Sequence, residues 1–432
     1  MREVLSLHVG QCGVQLGSAL WEHYCLEHGV DFDGTIGENS AKSPGFSSFF
    51  TESKNGKCNP RAMFVDLEPT VADQVREGKL KGLYRADQIF SWNEDAASLF
   101  PRGYYVSGKK LLMSVYDRLR LFLESFDSFQ GFMLMRSIGG GTGSGYTSLI
   151  LDCLGDDLVK KPVVDLDVYP TTGSGVIEPY NAILSADATF DQIGCSFMMD
   201  NEAIYRINVN GLDKYNLLSL NRLVAQAVSS ITASIRFEGS LNVDLAEFQN
   251  NLVPYPKIKF PFLSYAPIIN KDMKCRVSVQ SITKACFEPG NRMCSVSAEF
   301  GQYLAVCLVY SGDVVQKEVI SAVAHVKELG LANFVDWSPG FKIGINHKVP
   351  IFHPELEIQG SELSLGSVAN STSAGRYWSE INHRYDLMYN KAAFLHWFFI
   401  EGMEEQDFLK ARETTAAIES EYLELKTSSP KL

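Results

Sequence analysis

An α/β fold is what this sequence predicts: a mostly parallel sheet flanked by helices, then a smaller α+β unit and a C-terminal helical layer. Three observations carry the prediction. Short β-branched runs alternate with helical patterns through the first two hundred residues, as expected of parallel strands joined by crossover helices. A run of five glycines within seven residues, Gly139 to Gly145, falls between an apolar strand pattern and a helical one. The 432 residues also exceed the roughly 250–300 that one hydrophobic core serves.

In chain order, Val4 to Val9 reads as a strand and Gln11 to His28 as a helix. Phe32 to Asn59, rich in Gly, Ser and Lys, reads as a long exposed loop. Met63 to Leu67 is a short strand, Leu111 to Phe126 a helix, Phe132 to Ile138 a buried strand and Gly143 to Leu154 a helix. Val163 to Val168 and Ser196 to Met199 repeat the strand signal. From Asn221 to Ile235 runs a helix that is apolar nearly all round, as a helix buried between two units should be. Pro254, Pro256, Pro261 and Pro267 then mark an irregular connection into a second unit with a strand at Leu304 to Tyr310 and a helix at Lys317 to Glu328. The last sixty residues read as helical, with Trp378, Leu387, Phe394 and Trp397 as large apolar anchors. The expected division is 1–202, 203–371 and 372–432.

Composition narrows the function. The chain is 45% hydrophobic and 21% charged, with a net charge of −12. Such a surface disfavours nucleic acid and anionic lipid. Nine cysteines are scattered from Cys12 to Cys307 without a C-x-x-C pair, which points to a reducing compartment rather than a disulfide framework. No signal-peptide pattern opens the chain, and no stretch reaches the ~20 apolar residues of a membrane span. A cytoplasmic protein is expected.

The glycine run carries the chemistry. Glycine lets backbone amides approach an anion closely, and the helix that follows turns its positive end to the same point. Phosphate is the natural ligand, with Thr142 and Ser144 as added hydroxyl donors. No Lys-Ser or Lys-Thr follows, so this is not a Walker loop; Gly103 to Lys110 nearly spells one but lacks the metal-binding hydroxyl. The first βα turn, Gly10-Gln11-Cys12-Gly13, does not match G-x-G-x-x-G either. It can still offer backbone and Gln11 amide groups. Asp66 and Glu68 close a strand with two carboxylates suited to magnesium. Asn201 closes another strand and can read a base or ribose. Together these strand ends converge on one nucleotide.

With its flanking segments, the glycine run resembles the signature of the tubulin family. Those segments are M-R-E at the start, F-V-D-L-E-P-T-V at 64–71, V-P-Y-P at 253–256, F-V-D-W at 334–337, D-L-M-Y at 386–389 and G-M-E-E at 402–405. The resemblance spans essentially the whole chain. It implies the tubulin fold: a GTP-binding domain, a buried core helix, an intermediate domain and a C-terminal helical layer. Carried over position by position, it assigns Gln11 and Cys12 to the first phosphate loop, and Glu68 with Asp66 to Mg2+. It places Glu94, Asp95, Ala96, Ala97 and Ser98 near the γ-phosphate. Ser137, Gly140, Gly141, Thr142 and Gly143 fall to the signature loop. Ser174, Glu178, Asn201, Leu217 and Asn221 fall to the ribose and guanine.

The α type is indicated twice. Leu241 to Gln249 resembles the α-tubulin segment that reaches the next subunit's nucleotide, which implies that Glu247 activates water in trans on the GTP of β-tubulin. The twenty steps from Pro350 to Asn370 match the longer α-type loop. The resemblance thus implies a GTP-binding microtubule subunit that pairs with β-tubulin, with its own GTP not hydrolysed. It further implies a cytoskeletal location, in ordinary, axonemal or specialised microtubules, and microtubule-associated proteins as further partners. A tubulin-like GTP-binding cap or adaptor that does not polymerise is the alternative.

Several positions depart from that pattern. Ser98-Leu99 replace two asparagines near the γ-phosphate, and Leu217 replaces a tyrosine that stacks on guanine. Pro170 to Glu178 is shortened, as is the lateral-contact loop Ile268 to Val277, which carries Lys271, Lys274 and Arg276. The acetylated luminal lysine falls on Gly34. After Glu424 only Lys426 and Lys431 are charged, where the family has an acidic tail.

Overall fold

A computed structural model describes residues 2–37, 45–53, 55–158, 161–171, 173, 175–211, 216–269, 277–295, 301–356 and 358–428. Its strands are β1 (Glu3–Val9), β2 (Phe50–Glu52), β3 (Cys58–Pro60), β4 (Ala62–Asp66), β5 (Ile89–Ser91), β6 (Phe129–Ser137), β7 (Val163–Tyr169) and β8 (Cys195–Asp200). The second half adds β9 (Gly239–Leu241), β10 (Phe262–Ala266), β11 (Tyr303–Gly312), β12 (Phe341–Asn346) and β13 (Leu363–Ser371). Eleven of these form one sheet in the order β5-β4-β1-β6-β7-β8-β10-β13-β11-β12-β9, and β2 pairs with β3 apart from it.

From β5 to β8 every pairing is parallel. β1, β4, β7 and β8 are buried along their whole length, as strands covered by helices on both faces must be. A single register pair, Phe262 with Met198, carries the sheet from β8 to β10. Beyond it the pairing is mixed, with β13 antiparallel to both β10 and β11 and β11 parallel to β12.

The helix Leu217–Arg236 is the core helix that the apolar pattern predicts, and its residues from Leu220 onward are buried apart from Asn221. One side meets the first helix, Gly10–His28, where Tyr24 Oη and Thr232 Oγ1 are 2.8 Å apart and Arg236 reaches Glu27 at 2.5 Å. The other side meets β13 so closely that a Cβ on Gly366 would run into Ser230. Each fully buried Leu, Ile or Val here stabilises by about 1.5–3 kcal/mol.

Three expectations are corrected. Phe32–Asn59 is not wholly exposed: Phe46–Phe49 is a short helix, and β2 and β3 follow it. Phe49 and Phe50 are buried against Trp21, with ring centroids 6.3 and 5.4 Å away. Their aromatic area outweighs the polar residues around them. The irregular connection after Pro254 holds β10, fully buried between Pro261 and Pro267. Proline is tolerated there because it borders the strand rather than interrupting its ladder. Of the four C-terminal anchors only Trp378 is buried, 5.0 Å from the Phe260 ring. Leu387, Phe394 and Trp397 are 54%, 42% and 52% exposed, on the outer side of a layer formed by Ala374–Tyr389, Leu395–Ile400 and Glu405–Ser428. Among the described residues no helix is long and apolar enough to cross a membrane. The lateral-contact residues Lys271, Lys274 and Arg276 lie outside the described residues, as does Lys431.

Candidate nucleotide site

Parallel strands end together, so the loops after β1, β4, β6, β7 and β8 open on one edge of the sheet, where α/β folds hold ligands. There they enclose a cavity of about 370 Å³, a size suited to a small-molecule ligand. Most of the sequence-predicted residues line it: Gln11, Cys12, Asp66, Glu68, Asp95, Ser98, Ser137, Gly140, Gly141, Thr142, Gly143, Glu178, Asn201, Leu217 and Asn221. Ala96 does not; it is buried, and its Cβ supports Gly141 from behind. Ser174 lies outside the described residues. Glu247 sits elsewhere, on the helix Leu245–Leu252, 3.0 Å from Lys342 Nζ.

The glycine loop is held rigidly on one side and open on the other. A Cβ on Gly143 would strike the Ser137 carbonyl, and one on Gly141 would meet Leu99 N at 2.6 Å and Ala96 Cβ at 2.9 Å. A Cβ on Gly140 would meet nothing within 4 Å; that position faces empty space. Ser144 corrects the expectation of a ligand donor, since its hydroxyl turns back to the Gly140 carbonyl and is fully buried. Thr142 does line the cavity. Gly10, at φ 72°, makes the corresponding turn at the first helix, a conformation open to glycine without steric cost.

The neighbouring loop is strained. Ala97 and Ser98 adopt φ of 47° and 56°, a region that costs a residue with a Cβ about 1–3 kcal/mol. Ala97 N donates to Asp95 Oδ2 at 3.1 Å, and the buried Asn181 clamps the far end. Its Nδ2 donates to the carbonyls of Ser98 at 2.6 Å and Gly139 at 2.8 Å, while its Oδ1 accepts from Phe100 N at 3.1 Å. Asn181 joins the Ser98 loop and the glycine loop to the helix Glu178–Ala188. Sequence reasoning missed it; an amide one turn into a helix that begins at a ligand loop is the only local signal.

The acids at this edge are electrostatically loaded. Burial raises Asp66 from 3.8 to about 7, and the carboxylates of Glu68 and Asp95 push the same way. Its Oδ1 accepts from Leu67 N at 2.8 Å, whereas Oδ2 is buried without a partner. A buried carboxylate oxygen with no donor costs free energy that a cation would relieve. Among the described residues no three side chains converge as a metal site by themselves. Mg2+ bound here would therefore need oxygens from the nucleotide's phosphates, its usual mode. Burial, with Asp167 adding to it, raises the Cys12 thiol to about 12; it acts as a neutral wall rather than a nucleophile. Asp200 is a structural cap, accepting from Ala203 N at 2.6 Å and from Ser295 Oγ at 2.7 Å, and it leaves Asn201 to the cavity.

Glycine amides at the carboxyl edge of a parallel sheet, opening a helix beside a buried acid with one unpartnered oxygen, define an α/β protein of the nucleotide-binding class. Residues 3–209 match the Tubulin/FtsZ family, GTPase domain, and residues 256–383 the tubulin C-terminal domain. The chain is 46% identical over 437 residues to "Tubulin alpha-2 chain" of Caenorhabditis elegans, covering 99% of this chain and 98% of that one. It is 47% identical over 435 residues to "Tubulin alpha chain" of Pneumocystis carinii, covering 98% and 97%. The chain belongs to the tubulin family, with relatives of the α type along its whole length.

Proposed function

We propose that this α-type tubulin carries one GTP with Mg2+ in the cavity at the glycine loop, pairs with β-tubulin, and enters the microtubule lattice. The observation that supports nucleotide binding best is Gly140: the open face in a loop whose Gly141, Gly143 and Gly145 are locked against backbone. Amides of Gly10 to Cys12 and Gly140 to Gly143 are suited to phosphate oxygens. Asp66 and Glu68 are suited to the metal, and Glu178, Asn201 and Asn221 to the ribose and guanine. Bound Mg2+ would neutralise phosphate charge.

Glu247 does not line its own chain's cavity, which supports the reading that it serves the nucleotide of another subunit. Half-buried on a helix capped by Asp244 Oδ1 at 3.0 Å from Glu247 N, it can orient a water and take its proton. The chain's own GTP stays unhydrolysed because this carboxylate is not among the residues that line its cavity. Phe394, Trp397, Phe399 and Ile400 are all more than 40% exposed; large apolar side chains clustered at a surface suit a subunit contact. Full-length similarity to α chains favours the polymer subunit over a cap or adaptor, and with it a cytoskeletal location and contact with microtubule-associated proteins.

The test is co-expression with β-tubulin. A heterodimer that retains guanine nucleotide on this chain through gel filtration is the expected result. A nucleotide-free monomer would overturn the proposal.

A further inference from the structure

Behind the cavity, and not lining it, Arg136 is enclosed at 2% exposure next to the cavity-lining Ser137. Its guanidinium is fully engaged. Nε donates to Asp165 Oδ2 at 2.9 Å and to Asp167 Oδ1 at 3.0 Å. Nη1 donates to Ser185 Oγ at 2.9 Å and to the Gly143 carbonyl at 3.4 Å, and Nη2 to Thr189 Oγ1 at 3.3 Å. Enclosing such an ion cluster brings little net stability, since apolar side chains of the same volume do as well or better. What the planar fork adds is direction. Its bonds end on three elements: β7, the helix Glu178–Ala188 with the residue after it, and the glycine loop. All three present cavity residues: Val168 on β7, Glu178 on the helix and Gly143 in the glycine loop.

We propose that Arg136 is a positioning residue for nucleotide binding, fixing the Gly143 carbonyl against the helix that carries Glu178. Asn181 ties the same helix to Gly139 at the near end of the loop, and Arg136 ties it at the far end. Between these two anchors the amides of Gly140 to Gly143 keep a fixed spacing from Glu178, the spacing a phosphate and a ribose must match. The proposal rests on the reading that the cavity holds a guanine nucleotide.

The experiment uses the full-length heterodimer and three variants. Arg136→Lys keeps the charge but loses the fork. Ser185→Ala with Thr189→Val trims two partners at nearly constant volume. Arg236→Lys is the control: Arg236 is equally enclosed and paired with Glu27, but it closes the core helix about 30 Å from Leu217 by helical rise. Loss of bound guanine nucleotide is followed by acid extraction and ion-exchange chromatography, with thermal midpoints recorded alongside. Both cavity-side variants should release nucleotide about tenfold faster than wild type, whereas Arg236→Lys should lower the midpoint and leave release unchanged. Release from Arg136→Lys no faster than from Arg236→Lys would overturn the proposal.

If wild type carries no nucleotide, the GTP reading fails, and hydrogen exchange at amides 139–145 decides the positioning role separately. Faster exchange in Arg136→Lys than in Arg236→Lys supports it. Equal exchange rules it out.

Discussion

His8 makes the fold's stability fall with acid in a way that a single substitution can isolate. Its ring is buried between β1 and the first helix, stacked on Phe64 at 4.7 Å, and its Nε2 accepts from Trp21 Nε1 at 3.0 Å. Burial lowers its pKa from 6.5 to about 3. Between those values the unfolded chain binds the proton and the folded chain does not, so unfolding takes up a proton. Stability is therefore complete above pH 6.5 and lost as pH falls toward 3, by about 1.4 kcal/mol per unit. From pH 7 to pH 5 the loss from His8 is about 2 kcal/mol. His28 adds a similar loss: burial, and then the Arg236 charge, bring its pKa to about 3. His8→Gln keeps an acceptor for the Trp21 N–H and removes the titration. Urea unfolding at half-unit steps from pH 7.5 to 4.5 should show the variant curve shallower than wild type by about 1.4 kcal/mol per unit below pH 6. Carboxylates common to both proteins cancel in the difference. Parallel curves would refute the argument.

Other outcomes follow from the cavity and the catalytic assignment. Gly140→Val should leave the unfolding midpoint of nucleotide-free protein unchanged, because a Cβ there meets nothing, yet abolish nucleotide retention on gel filtration. Leu217→Tyr offers the base a ring face and should slow nucleotide release by the equivalent of about 0.5–1.5 kcal/mol, measured by the same extraction. Glu247→Ala should leave dimerisation intact while slowing phosphate release from the assembled lattice by about 10²–10⁴-fold; an unchanged rate would remove Glu247 from catalysis. Gly17→Ala should prevent folding, since its Cβ would come within 2.5 Å of His8 Cγ, inside a ring already held by Phe64 and Trp21. Soluble expression of that variant at wild-type yield would contradict the packing.

Much of the first half was legible because its signals are local. The strand β6, the glycine run and the following helix lie within thirty residues, and each reports its own backbone requirement. Even so, the structure starts that helix later, at Thr147, after a widened turn over Thr142–Tyr146. The near-Walker run at Gly103 found its explanation in packing: Gly103 and Gly108 lie where two helices cross, and a Cβ on Gly103 would strike the Gly141 carbonyl. The strand β13, with buried Ser364, Ser367, Asn370 and Ser371, receives no strand assignment from the sequence. Its polar groups are enclosed by partners from afar, such as the Leu252 and Ile258 carbonyls that accept from Asn370.

The amino-acid sequence alone determined the α/β class, the glycine loop, the apolar core helix and the α-type resemblance, because backbone freedom and apolar periodicity act over a few neighbouring residues. Tertiary structure alone decided that Asn181 and Arg136 brace the loop, that Asp66 keeps a buried unpartnered oxygen, and that Phe394 and Trp397 face outward. Those facts depend on which distant groups come within hydrogen-bonding or van der Waals reach. Contact across dozens of residues leaves no period in the chain to read.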